Sequence, residues 1–245
     1  MEQQSKIFGI RTVIEAINSG KTISKVFLQK SLSGQLFSEL NTLLAKHNIS
    51  KSYVPVEKLN RLSKNNNHQG VVAEISPIEF ADLDTLITKS LESTTTPLFL
   101  ILDGISDVRN FGAIIRTAEC TGVNAIVISK QGSAPVNSET IKTSAGAAFK
   151  VPICKVDHIK DALFQFEAAE IQTVAATEKT ENSVFDINFK KPIAIIMGSE
   201  DRGVNPSVLK IVNEKAKLPL LGEIESLNVS VACGAFLYEA TRQRR

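Results

Sequence analysis

The sequence predicts an α/β protein with two domains: a small N-terminal α/β unit, and a larger domain whose mainly parallel sheet has helices on both faces. In the second half of the chain, short apolar runs that suit strands alternate with stretches of helical apolar spacing. One run, Leu98 to Leu102, is apolar throughout, which is typical of a strand covered on both faces. The Ser/Thr/Pro cluster at 92–97 is typical of a loop and separates the two parts.

The N-terminal domain is predicted to span residues 1–76. An amphipathic helix is expected from Ile7 to Gly20, because Ile10, Val13 and Ile14 recur at helical spacing. The other elements follow the same rules of apolar periodicity. They are strands at 25–28, 53–54 and 71–75, helices at 36–47 and 56–62, and a polar loop at 64–70.

Residues 77–96 are predicted to form a linker, in which 83–91 suits a helix, and residues 97–245 form the second domain. Asn205 and Pro206 are expected to start a helix as its cap and first residue. The predicted strands are 98–102, 124–128, 171–175, 193–197 and 218–221. The predicted helices are 111–121, a short helix within 137–146, one beginning at 159, one beginning at 206, and 229–240.

Composition bounds the class of protein. Hydrophobic residues make up 43% of the 245 residues, yet no apolar run is long enough for a membrane-spanning helix and the N-terminus lacks a signal peptide pattern. Three scattered cysteines indicate neither a disulfide framework nor a metal cluster, so a reduced, cytoplasmic protein is expected. The net charge is +2, but residues 1–80 alone carry +4, which suits an anionic partner at the N-terminal domain.

Three loops should meet at the carboxyl ends of the parallel strands, where such sheets bind ligands. The first contains Asn110 and Arg116, the second holds Glu200 between two glycines, and the third contains Ser226 and Asn228. Each loop taken alone has an ordinary explanation. Asn110 and the Ser-Leu-Asn stretch are typical helix-capping sequences. Arg116 is compatible with a solvent-exposed side chain, and Glu200 with a carboxylate near the positively polarised N-terminus of a helix.

Taken together, the loops resemble the three motifs of the SpoU/TrmH-type RNA ribose 2′-O-methyltransferases, in the SPOUT superfamily. The resemblance rests on DVRNFGAIIRTAE at 107–119, IMGSEDRGV at 196–204 and LPLLGEIESLNVSVACGAFLYEATRQR at 218–244. In the N-terminal domain, IFGIRTVIEAI at 7–17 and HQGVVAEI at 68–75 resemble the small RNA-binding domain of the ribosomal-RNA branch, which is similar to kink-turn-binding ribosomal proteins. Val108, Arg11 and Cys233 depart from the usual pattern, and Arg11 weakens the assignment to that branch.

The resemblance implies S-adenosylmethionine as methyl donor, a trefoil knot, no metal, and a homodimer. The donor pocket is expected to use Gly198, Leu218, Leu220 and Leu227. The implied catalytic group has Arg116 on the target phosphate, Asn110 orienting Arg116 or the ribose, and Glu200 fixing the loop or taking the proton. Ser226 and Asn228 are expected beside the reacting hydroxyl.

RNA recognition is assigned to the N-terminal domain, through phosphate contacts and hydrogen bonds to bases. The candidates are Lys6, Arg11, Arg61, Lys64, Asn66, His68 and Gln69, although a flexible surface loop at 64–70 is an equal alternative. The expected substrate is a guanosine of large-subunit (23S) rRNA. Transfer-RNA ribose and a non-catalytic role in ribosome assembly stay open as alternatives. A nucleotide-binding oxidoreductase is disfavoured, because neither GxGxxG nor GxxxxGK[ST] is present.

Overall fold

The computed structural model describes residues 6–223 and 226–245, which divide into two compact units. One unit comprises the described part of 1–79 with 136–138, and the other comprises 80–135 with the described part of 139–245. The domain limits proposed from the sequence stay predictions. No helix in the described part of the chain is both long and apolar enough to cross a membrane.

The first unit is a four-stranded mixed sheet with helices on both faces. Its strands are β1 (Lys6–Phe8), β2 (Ile23–Gln29), β3 (Lys51–Val54) and β4 (Val71–Ile75), in the order β1-β4-β2-β3. Strand β4 runs antiparallel to β1 and β2, and β2 is parallel to β3. The helices are α1 (Ile10–Asn18), α2 (Gln35–Lys46) and α3 (Val56–Leu62).

The start predicted for the first helix is wrong. Ile7 lies in β1 opposite Ala73, and α1 begins only at Ile10. Gly9 separates the two elements with a φ of 91°, a conformation that a side chain disfavours. The predicted buried stripe of α1 is confirmed, because Val13, Ile14 and Ile17 lie in the core beneath α1 and α2.

Hydrogen bonds within the polar loop at 63–70 hold it in place. Ser63 Oγ donates to the carbonyls of Asn60 and Asn66, and Asn66 Nδ2 donates to the carbonyl of Ser63. His68 is only 8% exposed. Its Nδ1 accepts from the Gly70 amide at 2.9 Å, which leaves Nε2 to donate to Asn60 Oδ1, also at 2.9 Å. The sequence suggested His68 as an RNA contact, but in the structure its ring is buried and both of its nitrogens stabilise the loop.

We expect His68→Ala to lower the free energy of unfolding of the full chain by about 1–3 kcal/mol, since it leaves Asn60 and the Gly70 amide without partners. Gln69→Ala, which alters an exposed neighbour, should leave stability nearly unchanged. Urea unfolding of both variants measures the difference. Equal stability of the two variants would contradict this role for His68.

The second unit contains a six-stranded sheet in which every pairing is parallel. Its strands are β5 (Leu98–Asp103), β6 (Ala125–Ser129), β7 (Ile153–Val156), β8 (Gln172–Ala176), β9 (Ile193–Gly198) and β10 (Glu214–Ala216), in the order β10-β8-β9-β5-β6-β7. The helices are α4 (Leu83–Ser93), α5 (Val108–Cys120), α6 (Ser138–Thr143), α7 (Ile159–Ala168), α8 (Pro206–Leu209) and α9 (Val229–Gln243). The predicted α/β class with a mainly parallel sheet is confirmed.

Both faces of this sheet are covered. Alternate residues of β5, such as Phe99 and Ile101, pack with α4 and α7, and the rings of Phe99 and Phe166 lie 5.0 Å apart. On the other side α9 packs against β9 and α5. Two parallel layers of helices therefore shield the central strands from water and leave the strand ends as the accessible edge.

Several predicted elements need correction. The strand expected at 218–221 is wrong, since the ladder with β8 runs from Glu214 to Ala216. Pro219 lacks the amide hydrogen that a continued ladder would need, and Leu221 is fully exposed. Strand β7 was not predicted at all. By contrast, the short helix predicted within 137–146 is confirmed as α6, and a 3₁₀ turn at Ala147–Phe149 follows it.

The segment predicted as a linker contains α4, which packs as part of the second unit. Leu83 and Ile87 lie in the core with residues of α7. Asp82 caps the helix by accepting from the Thr85 amide at 2.9 Å, and that bond together with one from the Thr85 hydroxyl lowers the pKa of Asp82. Residues 82–93 are therefore ordered by the same burial and capping that build the rest of the unit.

Candidate active site

Two of the motif loops leave the sheet side by side. Asp103, the last residue of β5, pairs in register with Gly198, the last residue of β9. The chain beyond each strand therefore starts from the same edge of the sheet, at its carboxyl end. This is the edge at which ligands bind in open parallel sheets.

The loop after β9 is a tight turn that depends on two glycines. Ser199 and Gly203 exchange two backbone hydrogen bonds, of 3.2 and 2.9 Å, with Gly203 at a φ of 65°. A Cβ atom on Gly198 would lie 2.0 Å from both the carbonyl carbon of Gly203 and the amide nitrogen of Val204. The turn is therefore closed against the strand, and it projects Glu200 beyond the sheet edge.

Asp103 fastens the far end of this loop, a role that sequence reasoning missed. Its Oδ2 accepts from the Asn205 amide at 2.8 Å. Burial raises the pKa of Asp103, and the bond from Asn205 acts in the opposite direction. The only sequence signal was a carboxylate at the end of an apolar strand, which alone does not identify its partner.

Asp107, not Asn110, caps helix α5. The Asp107 carboxylate accepts from the amides of Arg109 and Asn110, both at 2.8 Å. The proposed alternative role of Asn110 as a cap is therefore wrong. Its side chain, in the first turn of the helix, is left to make contacts across the sheet edge.

Asn110, Glu200 and Asn228 form a closed triangle of side-chain hydrogen bonds. Asn110 Nδ2 donates to Glu200 Oε1 at 2.7 Å, and Asn228 Nδ2 donates to the same oxygen at 2.8 Å. Asn228 Nδ2 also donates to Asn110 Oδ1 at 3.1 Å. One residue from each of the three motifs is thus fixed against the other two.

Asn228 serves two purposes at once. Its Oδ1 accepts from the amide of Ser230 at 3.0 Å and from the Ser230 hydroxyl at 2.6 Å, which makes it the N-cap of α9. The expected capping role is confirmed for this residue. Because the same amide reaches Glu200, the start of α9 is positioned by the triangle.

Arg116 lies on α5 and is exposed. Within residues 6–223 and 226–245 it makes no hydrogen bond or ion pair, so its guanidinium is available to a ligand. The structure thus brings three of the five predicted catalytic residues together. Arg116 and Ser226 are exposed near the same motifs without a bond to the triangle.

Three of the four predicted donor residues are at least partly exposed, whereas Gly198 is buried at the end of β9. Leu218 is half-buried, while Leu220 and Leu227 are 42% and 45% exposed. Part of the polar loop predicted at 223–228, residues 224–225, lies outside the described residues.

No three His, Cys, Asp or Glu side chains lie close enough to hold a metal ion in the part of the chain that the structure describes. The site consists of hydrogen-bonded side chains and a backbone turn at the carboxyl edge of a parallel sheet. This defines an α/β enzyme-type site whose polar groups come from three separate loops.

Comparison with known proteins identifies the class. The model of the SpoU rRNA Methylase family matches residues 97–238, and the model for RNA 2′-O ribose methyltransferase substrate binding matches residues 6–81. A putative TrmH family tRNA/rRNA methyltransferase from Bacillus subtilis, YacO, is 32% identical over 244 residues, 99% of this chain and 97% of its own. A relative of the same description from Staphylococcus haemolyticus is 32% identical over 238 residues, 97% of this chain and 95% of its own.

Solved structures agree on the fold. The SpoU methyltransferase AviRb from Streptomyces viridochromogenes has a TM-score of 0.63 at 24% identity, covering 98% of this chain and 89% of that one. The AdoMet-bound rRNA methyltransferase from Sinorhizobium meliloti has a TM-score of 0.62 at 24% identity, covering 97% and 86%.

The chain belongs to the SpoU methyltransferase family. The predicted family and enzyme class, an S-adenosylmethionine-dependent RNA methyltransferase, are confirmed. The N-terminal unit corresponds to the family's substrate-binding domain.

Proposed function

We propose that this enzyme methylates a ribose 2′-hydroxyl of ribosomal RNA, and that the target is a guanosine of the large-subunit RNA. The observation that carries the chemistry is the triangle of Asn110, Glu200 and Asn228 at the carboxyl edge of the sheet. The basic N-terminal region favours a large structured RNA as substrate. Transfer RNA is the alternative, because the relatives are named for both classes.

The residues at the site suit the donor. Bound S-adenosylmethionine supplies a methyl group already activated by its sulfonium, so the enzyme has to align the acceptor and assist its deprotonation. Gly198 lets the loop after β9 close tightly against the strand end, because a side chain there has no room, and Leu218, Leu220 and Leu227 offer apolar contact. These four residues would hold the donor.

The triangle prepares the acceptor side. Transfer of a methyl group to the hydroxyl oxygen requires the hydroxyl to lose its proton, so a residue of the enzyme has to accept or relay that proton. Glu200 Oε1 is occupied by two amide donors, whereas Oε2 has no hydrogen bond among the described residues. This favours Oε2 as the atom that would accept the proton, directly or through water, with Ser226 and Asn228 as the residues beside the hydroxyl.

Arg116 binds the phosphate of the target nucleotide and polarises the hydroxyl. An arginine side chain stays protonated in proteins, so it acts as a fixed cation and hydrogen-bond donor and not as a base. A planar guanidinium matches a phosphate in a bidentate manner, which fixes the ribose as well as the charge.

Asn110→Asp should lower methyl transfer by about a hundredfold, the scale seen when one preorganised donor is lost. The substitution keeps the shape but replaces the amide that donates to Glu200 with a second carboxylate, and two like charges at this distance repel each other. Single-turnover transfer measures the loss. Donor binding close to wild type is the matched control, and an Asn110→Asp enzyme of normal rate would contradict the triangle's role.

RNA contacts in the N-terminal unit come from its exposed residues. Arg11, Arg61, Lys64 and Gln69 are exposed and face solvent. Lys6 is paired with Glu74 at 3.6 Å, and at 37% exposure of its side chain it can exchange that partner for a phosphate. Asn66 is also exposed, and its side-chain Oδ1 can accept from a base, although its Nδ2 donates to the Ser63 carbonyl.

A homodimer with a trefoil knot in each chain completes the proposal. The apolar face of α9, including Phe236 and Leu237, is buried within the chain and serves the core. On its other face Val231 and Tyr238 are 57% and 58% exposed, so these two residues supply the apolar contact between subunits. The knot is expected from the match of residues 97–238 to the SpoU family model.

A cytoplasmic location fits the cysteines. Cys120, Cys154 and Cys233 are free, and burial raises the pKa of both Cys154 and Cys233 to about 12. Thiols of this kind behave as small apolar side chains and suit a reducing compartment.

Transfer of labelled methyl to unmodified large-subunit rRNA and, separately, to unmodified bulk tRNA tests the substrate. We expect label in rRNA alone, in alkali-resistant 2′-O-methyl linkages. Label in tRNA alone would keep the chemistry and overturn the substrate. With donor binding intact, an absence of label from both RNAs and from assembling ribosomal particles would favour a non-catalytic role.

A further inference from the structure

A second basic surface lies at the other end of α9. The last turn of this helix and the segment before β9 enclose a shallow groove in the second unit. Its lining includes the cations Lys190, Arg242 and Arg245, with Phe185 among them and Asp186 as the acidic member. We refer to this feature as the C-terminal groove.

Hydrogen bonds join the two walls of the C-terminal groove and fix their relative position. Gln243 Nε2 donates to the Ile187 carbonyl and its Oε1 accepts from the Phe189 amide, both at 2.9 Å. Arg244 Nε donates to the Phe189 carbonyl at 2.8 Å, and its Nη2 donates to the Lys191 carbonyl at 3.1 Å. A ligand would therefore meet a preformed surface and would not bear the cost of ordering it.

The three cations of the C-terminal groove differ in whether they have an acidic partner. Glu239 is 6% exposed and accepts two bonds of 2.8 Å from Arg242, whose side chain still remains 69% exposed. Lys190 and Arg245 are exposed and have no ion pair in the described part of the chain. These two cations are thus available to an anionic partner.

Phe185 indicates which anionic partner fits. Its side chain is 59% exposed at the C-terminal groove, and the hydration of such a large apolar ring is unfavourable. An exposed ring beside cations is the combination that binds single-stranded nucleic acid, with a base stacked on the ring and phosphates on the cations. A single-stranded nucleic acid uses both features along its whole length, since every nucleotide carries a base and a phosphate.

We propose that the C-terminal groove binds a single-stranded segment of the substrate RNA, away from the nucleotide that is methylated. This rests on the proposed function. The 15 residues of α9 separate the C-terminal groove from the cap at Asn228 by about 22 Å, at 1.5 Å per residue. At about 3.4 Å per stacked nucleotide, the segment lies roughly six nucleotides from the target.

The first test removes the two available cations. Lys190→Ala/Arg245→Ala is compared with Lys89→Ala/Lys160→Ala, which removes the same charge from exposed positions on α4 and α7. The probe is an unmodified large-subunit rRNA transcript. Each lost phosphate contact lowers the slope of log affinity against log salt by about 0.7 for single strands. We therefore expect a change of about 1.4 for the groove variant, with none for the control.

The second test removes the ring. Phe185→Ala should weaken RNA binding by about tenfold with an unchanged salt slope, as expected for one lost stacking contact. Phe164→Ala is the matched control, because Phe164 is 54% exposed on α7, and it should bind RNA as wild type does. Donor binding by all four variants checks their fold.

Normal affinity and salt slope in both groove variants would overturn the proposal, as would equal losses in the groove and control variants. Binding is measured without turnover. If methyl transfer to rRNA failed, the binding result could therefore still be interpreted. The proposal for the groove and the proposed methylation of rRNA are thus tested independently.

Discussion

Arg116→Ala is expected to reduce methyl transfer by about a thousandfold, at the upper end of what one preorganised electrostatic group supplies. Arg116 is exposed, and in the described chain it has no internal partner. Its removal therefore costs the fold little, while the target phosphate loses its cation and the ribose its alignment. Donor binding, assigned to Gly198 and the leucines, should remain within about threefold, well under 1 kcal/mol.

Arg116→Lys distinguishes charge from geometry. A lysine restores the positive charge but cannot present the planar fork that grips a phosphate, so we expect recovery of no more than about tenfold. Lys89→Ala removes one exposed cation from the same unit and should leave transfer unchanged. Single-turnover rates at saturating donor and RNA report the chemical step. If Arg116→Ala lost donor binding and methyl transfer to the same extent, Arg116 would not act on the RNA alone, which would contradict its assigned role.

Gly198→Ala is expected to abolish donor binding and to destabilise the protein by about 3 kcal/mol or more, since overpacking against backbone has no easy relief. The added Cβ would lie 2.0 Å from backbone atoms of Gly203 and Val204. Either β9 or the loop must shift, and the loop carries Glu200. The paired hydrogen bonds between Ser199 and Gly203 would break with it.

Gly234→Ala is the matched control. A Cβ there would meet only the Thr117 methyl at 3.8 Å, an ordinary contact, and Ala favours a helix over Gly. Isothermal titration with S-adenosylmethionine and thermal unfolding measure both variants. A Gly198→Ala enzyme that binds the donor normally would show that the turn after β9 does not shape the pocket.

The overall architecture could be predicted from the sequence because burial of apolar side chains determines where the central strands and the main helices lie. Unbroken apolar runs such as 98–102 and 193–197 identified the central strands, and helical spacing identified α5 and α9. Edge elements lacked that signal. Glu214–Ala216 is three residues long and owes its strand conformation to pairing with β8, while the more apolar Leu218–Leu221 has no such partner.

Side-chain roles at the site were less predictable than its location. Asp107 and Asn110 are both good capping residues, and only the backbone geometry decides that Asp107 is the cap. His68 lies in a run of polar residues, yet its ring is buried by the chain around it. Such choices depend on contacts between residues distant in sequence, such as the 102 positions separating Asp103 from Asn205.

The most direct test of the account uses RNA with a single 2′-deoxyribose at the nucleotide mapped in the rRNA experiment. The site is proposed to act on the 2′-oxygen, so the deoxy RNA should bind with near-normal affinity and accept no methyl group. The unsubstituted RNA, assayed in parallel, should be methylated fully. Methylation of the deoxy RNA at the same nucleotide would place the acceptor on the base and would contradict the proposed chemistry of Asn110, Arg116, Glu200 and Asn228.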